Sequence, residues 1–221
     1  MLWLALHLPW LPLEALGPDP EAPSAARCVI EQRRVLVAGR AAGAAGIAPG
    51  MGAATAASLA PDVRQLARDP VREAECLHLL TLALSRYTPQ VVVQGDGIAL
   101  EVAASLRLFG GLRSLMRQVR QTVRGCSLHA RLGVAPTLGA AVLFARVPNA
   151  SGRPGRALRR AQRLLDALPL SRVLAVLRQE ARLTELLQAL GCRSVADARA
   201  LPRAGLHRRG GGALLRWLDR A

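Results

Sequence analysis

Lysine is missing altogether from this 221-residue chain, whose 30 basic residues are all arginine. An all-arginine complement is consistent with GC-rich coding as much as with function. Its chemical consequence is firm: no step that needs a titratable lysine amine is open to the chain. Cysteine is sparse and dispersed. Cys28, Cys76, Cys126 and Cys192 form no C-x-x-C pair, and the four histidines are scattered, so the spacing fits neither a disulfide framework nor a zinc site. A reduced, cytoplasmic setting is the simplest reading. Long hydrophobic runs are absent too. The apolar opening, residues 1–16, is broken by His7, Pro9 and Pro12 and has no basic leader. It is shorter than the roughly 20 residues a membrane span requires. It reads as a buried first strand followed by a turn, and no membrane partner is expected.

What is present is apolar mass and an uneven charge. Hydrophobic residues make up 51% of the chain, ample for a core in one large domain or two to three small ones. The formal net charge is +15, yet residues 1–110 carry 9 arginines against 10 acids, while residues 111–221 carry 21 against 5. The excess lies wholly in the second half. Two readings stay open for it: a polyanion partner met by phosphate neutralisation, or a solvated basic face on amphipathic helices.

Periodicity and punctuation give the order of elements. Residues 2–8 suit a strand buried on both faces and stopped by Pro9. Residues 17–26 form a Pro- and Ala-rich loop, and residues 28–32 and 35–38 flank Arg33-Arg34 as a hairpin. Residues 40–66 are rich in Ala and Gly and predict two short helices around a Pro49-Gly50 turn, and residues 70–86 have helical spacing. Residues 91–93 and 98–102 bracket a tight Gln94–Gly97 turn. A helix over 112–123, a strand over 130–135, a helix over 138–146 and a Gly/Pro-rich linker over 148–155 follow, and the remainder reads as helical with no internal repeat. The fold class is therefore α/β (α+β): a sheet domain with a small inserted lobe and an appended all-α domain.

Three stretches, in this order and spacing, resemble the Y-family, or translesion, DNA polymerases. Ala45-Gly46-Ile47-Ala48-Pro49-Gly50-Met51, followed by Ala56, Leu59 and Pro61, is similar to the family's fingers motif. Leu100-Glu101-Val102 with Ser105-Leu106-Arg107-Leu108-Phe109-Gly110-Gly111 matches the strand and turn after its catalytic carboxylates, and Gly133-Val134-Ala135-Pro136-Thr137 fits a palm segment. In the tail, Leu190-Gly191 followed by residues 194–201 resembles the thumb's helix-hairpin-helix, with Ser194 and Asp197 as a capping pair. The resemblance implies a palm over 1–9 and 86–155, a fingers-like insertion over 10–85, and a helical thumb over 156–221. It also implies DNA contacts at the Gly191–Cys192 turn and at Arg193, Arg203, Arg208 and Arg209. The alternative for that turn is an ordinary glycine C-cap.

The same resemblance shows what has been lost. The family's chemistry uses two Mg²⁺ ions held by three carboxylates. Placed on this chain, the first carboxylate falls at His7, and the adjacent pair falls at Asp96 and Gly97. One acid cannot hold two hard divalent ions, so the ancestral Mg²⁺ site is expected to be lost and no cofactor is expected. The triphosphate-contacting Tyr and Arg correspond to Arg40 and Gly43, the palm lysine to Val142, and the steric gate to Pro12. The first strand and Leu106–Gly111 resemble the ImuB family of mutasome proteins. That likeness implies a DNA-binding scaffold or adaptor in damage-induced mutagenesis. Its implied partners are a RecA-like ImuA protein, an error-prone C-family polymerase and the sliding clamp. Two other readings remain: an active translesion polymerase, and a general helix-hairpin-helix DNA-binding module on an unrelated α/β domain.

Overall fold

A computed structural model describes residues 1–18, 25–147, 161–177 and 181–220. The linker expected over 148–155, and with it the expected palm–thumb boundary, lies outside them. The chain divides into two compact units, Met1–His7 with Tyr87–Gln118 and Arg131–Ala221, and Leu8–Arg86 with Val119–Ala130.

The first unit is built on a four-stranded sheet in the order β5-β6-β1-β7. Its strands are β1 (Trp3–His7), β5 (Val91–Gln94), β6 (Gly97–Glu101) and β7 (Arg131–Ala135). β1 lies between β6 and β7, antiparallel to both, with His7 opposite Gly97 on one side and Arg131 on the other. Leu4, Ala5 and Leu6 are buried in succession, as expected of a central strand covered on both faces. Helix α6 (Leu138–Arg146) lies against β7 and β1. Its approach depends on Gly133, where a Cβ would stand 2.2 Å from the Ala141 carbonyl oxygen and 2.3 Å from the Ala145 nitrogen. Phe144 and Leu143 on α6 join one continuous core with Leu165, Leu174, Leu187, Leu214 and Trp217 of the C-terminal helices. Those helices are α7 (helical over 161–166), α8 (Leu170–Val176), α9 (Ala181–Ala189), α10 (Val195–Ala200), α11 (Arg203–Arg208) and α12 (Gly212–Arg220).

The second unit carries a three-stranded sheet, β3-β2-β4. β2 (Arg27–Glu31) and β3 (Arg34–Ala38) form the expected hairpin. Gln32 and Arg33 both have positive φ, which matches the right-handed strand twist in a two-residue turn. α2 (Arg40–Ala44) and α3 (Ala53–Leu59) are the two short helices, and Ala42, Ile47 and Ala56 pack with Cys28 and Val35. Two elements were not read from the sequence: a one-turn helix α1 (Leu11–Glu14), and β4 (Arg64–Ala67), parallel to β2. α4 (Pro70–Leu84) starts at an Asp69 cap that accepts from Val71 and Arg72 N–H groups. Ahead of it, Arg68 grips Glu73 through two bonds of 2.7 and 2.8 Å and Glu31 through one of 2.8 Å. These bonds push the guanidinium pKa still higher and satisfy Glu73, a buried carboxylate. α5 (Leu112–Gly125), whose residues up to Gln118 belong to the first unit, buries Leu115, Met116, Val119 and Val123 and exposes Arg113, Arg117, Arg120 and Arg124.

Candidate functional site

The positions matched to catalytic carboxylates meet at one end of the four-stranded sheet. His7 ends β1, Gly97 opens β6, and Asp96 stands in the two-residue turn between Gln94 and Gly97. Gly95 takes the left-handed position of that turn (φ +57°), so its two central residues are Gly95 and Asp96. The structure does bring His7 and Asp96 together, with His7 Nδ1 3.6 Å from Asp96 Oδ1. That is too long for a hydrogen bond, and the buried Nδ1 has no hydrogen-bond partner among the described residues.

Asp96 has a stronger partner that the sequence reading missed. Arg146 Nη2 donates to Asp96 Oδ1 at 2.6 Å, with only 22% of the Arg146 side chain exposed. Burial alone would raise the Asp96 carboxyl; the His7 ring and the Arg146 guanidinium outweigh it and hold the group below the ordinary carboxylate range. A sequence signal for Arg146 existed: it lies one helical turn beyond Val142, the position matched to the family's palm lysine.

Gly97 is equally informative. A Cβ there would lie 2.6 Å from the Leu6 carbonyl oxygen, so no side chain fits unless β1 and β6 part. The other acid in the motif, Glu101, lies at the far end of β6 opposite Trp3 and accepts from the Leu2 and Ala103 N–H groups. A cavity of about 10 Å³ lined by His7, Gln94, Gly97 and Arg146 offers room for one water. Among the described residues, no group of three or more His, Cys, Asp or Glu could hold a metal ion. The donor set therefore does not fit a two-Mg²⁺ centre, which needs several oxygens in octahedral array. A larger cavity of about 370 Å³ is lined by Gln94, Leu138, Val142, Arg146, Val176 and Trp217 among others. Among the described residues Arg146 is its one charged lining residue, and that charge already faces Asp96.

Residues 17–146 match the impB/mucB/samB family. The chain belongs to that family. Two strains of Caulobacter vibrioides supply ImuB proteins that are 32% identical over 179 residues, covering 80% of this chain and 37% of theirs. The chain thus spans well under half the length of the curated relatives it matches. Among solved structures, a Dbh ternary complex superposes with a TM-score of 0.78 at 20% identity, covering 99% of this chain and 66% of that one. DinB from Sulfolobus solfataricus gives 0.74 at 20% identity, covering 99% and 67%. At that identity the likeness establishes the fold, a mixed α/β arrangement like the Y-family polymerase palm. The positions matched to the family's fingers contacts, Arg40 and Gly43, lie on α2, and Pro12 lies in α1.

In the C-terminal helices of this impB/mucB/samB chain the structure sorts the expected DNA-contact residues into two places. Gly191 follows α9 with φ +77°, but its turn has no N–H group to offer a phosphate. Gly191 N donates to Gln188 O and Cys192 N to Leu187 O, each at 2.9 Å. Arg193 N and Ser194 N both donate to Asp197 Oδ2 at 2.9 Å. Ser194 and Asp197 complete the expected capping box, and these N–H groups hold the Asp197 carboxyl below its usual range. The carboxylate sits where an anion would have to bind.

Arg208 and Arg209 lie elsewhere, in a groove of about 730 Å³ with Arg182, Glu185, Leu186, Ala189 and Gly210. Among the described residues none of these three arginines pairs with a carboxylate, whereas Arg203 is held by Asp219 at 2.5 Å across α11 and α12. Arg182 was not read from the sequence. Its signal is the helical spacing of 182, 186 and 189 along one face of α9. No helix among the described residues is long and apolar enough to cross a membrane.

Proposed function

We propose that this chain is a non-catalytic, Y-family polymerase-like protein of damage-induced translesion synthesis and mutagenesis, acting in the cytoplasm as a DNA-binding scaffold or adaptor. The observation that carries the reading is the strand end itself. Its one remaining acid is neutralised by Arg146, and its neighbour Gly97 is packed too closely on Leu6 to bear a second carboxylate. Two-metal phosphoryl transfer, which holds attacking and leaving oxygens between paired ions, has no ligand set to act through. Likeness to ImuB supports a place beside a RecA-like ImuA protein, an error-prone C-family polymerase and the sliding clamp.

DNA would be held through phosphates by the helical thumb. Its helix-hairpin-helix reading is supported by the Ser194–Asp197 capping box after Gly191 and by α11 packing against α12, and Arg182, Arg208 and Arg209 are exposed cations without an ion pair among the described residues. Binding of this kind is largely sequence-independent and weakens steeply with salt. The test is primer extension on a templated duplex with Mg²⁺ or Mn²⁺, run beside salt-dependent DNA binding. Binding without nucleotide incorporation is expected. Templated extension that Asp96→Ala abolishes would overturn the non-catalytic reading.

A further inference from the structure

We propose that Arg146 is the resident cation of the vestigial site: together with the Gly97 backbone pressed on Leu6, it has turned a place for divalent ions into a fixed ion pair. That pair ties the β5–β6 turn to the end of α6. The inference rests on the non-catalytic reading and deepens it, because it says why the loss is not undone by single substitutions.

The geometry carries the case in three steps. First, Arg146 is fixed from behind. It occupies the last turn of α6, a helix locked on the sheet by the Gly133 approach and by buried Leu143 and Phe144. A cation there also faces the negative end of the helix dipole. Second, a guanidinium stays charged at any working pH and cannot dissociate as an ion can, so Asp96 Oδ1 faces a resident cation whenever it is ionised. Third, the two positions that could add oxygens are closed in different ways. Gly97 has no space for a side chain. An acid placed at position 7 would stand beside Arg146 as well as Asp96, so the guanidinium would gain a second carboxylate before a metal gained a second ligand.

The experiment is Mn²⁺ binding to the full chain, followed by loss of the free-ion paramagnetic signal. It compares the unmodified protein, His7→Asp, Arg146→Gln and the His7→Asp/Arg146→Gln double variant. The unmodified chain and His7→Asp are expected to withdraw no Mn²⁺ at millimolar concentration. The double variant is expected to bind it, and to lose that binding when Asp96→Asn is added. Equal Mn²⁺ binding by His7→Asp alone would overturn the proposal, and so would a folded double variant that binds none.

Thermal melting supplies a second readout. Asp96→Asn and Arg146→Gln should each lower Tm by about 1–4 °C, and together by no more than the larger single effect. Additive losses would remove the ion pair from the argument. Mn²⁺ binding by the unmodified chain without primer extension would sink this proposal alone, whereas templated extension would sink the functional reading beneath it.

Discussion

Two arginine-bearing places in the same unit put one side chain to opposite uses. At the end of α6, Arg146 is mostly buried and answers the one acid left at the sheet's end. In the groove beside α9, α11 and α12, Arg182, Arg208 and Arg209 are exposed and, among the described residues, form no ion pair, although Glu185 lines the same groove. Other arginines of the basic second half are also committed, Arg199 to Asp166 at 3.1 Å and Arg203 to Asp219. Net charge therefore overstates what a polyanion can use. At the sheet's end the one remaining acid is neutralised internally by Arg146, and the C-terminal helices keep charge that is not paired among the described residues. That combination fits the proposed scaffold, which would hold DNA without acting on it.

The sharpest way to break the comparison is at Gly97. Gly97→Glu should destabilise the chain by about 1–3 kcal/mol, or more, because the new Cβ forces β1 and β6 apart; chemical denaturation measures it. Combined with His7→Asp, it should restore two formal ligands and still yield no primer extension. A stable Gly97→Glu protein would mean that the strand end is open after all. Next in size is the groove. Neutralising Arg182, Arg208 and Arg209 together should weaken DNA binding by about 10–100-fold at low salt and flatten the salt slope by about 2–3. Arg203→Ala, already paired with Asp219, should change affinity far less. Equal losses from the two variants would erase the distinction between committed and available arginines.

The sheet was legible in the sequence because its strands are apolar runs, buried in succession in β1, β6 and β7, as in Leu4-Ala5-Leu6. β4 was not, because Arg64-Gln65-Leu66-Ala67 is largely exposed and owes its strand state to pairing with β2, a non-local partner. α1 is a single turn of four residues containing Pro12, too short for a period to show. At the site, motif register was enough to bring His7 and Asp96 together. It could not reveal Arg146, which closes on Asp96 across 50 residues of chain, nor that Gly97 is a contact and not merely a missing glutamate. Gly191 shows the converse. Its spacing suggested a phosphate turn, but an aspartate six residues on takes up the N–H groups beside it.

That aspartate gives a smaller test. Asp197→Ala removes the capping box and should lower the denaturant midpoint slightly. DNA affinity should stay within about twofold, since the Arg182 groove does not involve this cap. A large fall in affinity would return the phosphate contact to the Gly191 turn.

The smallest expected effect is the pH dependence of the Arg146–Asp96 pair. The Asp96 carboxyl is held below its ordinary value in the folded chain, so the unfolded chain takes up its proton first as pH falls. The pair's contribution is then fully present above the unfolded value of about 4 and is lost as pH drops through the lower folded value. With 44% of the Asp96 side chain exposed, solvent screening limits that contribution to about 1 kcal/mol or less. The measurement is unfolding free energy against pH for the unmodified chain and Asp96→Asn. The gap between them should close as pH falls below about 4, and Arg146→Gln should reduce it. A gap that widens in acid would reverse the sign and detach Asp96 from Arg146.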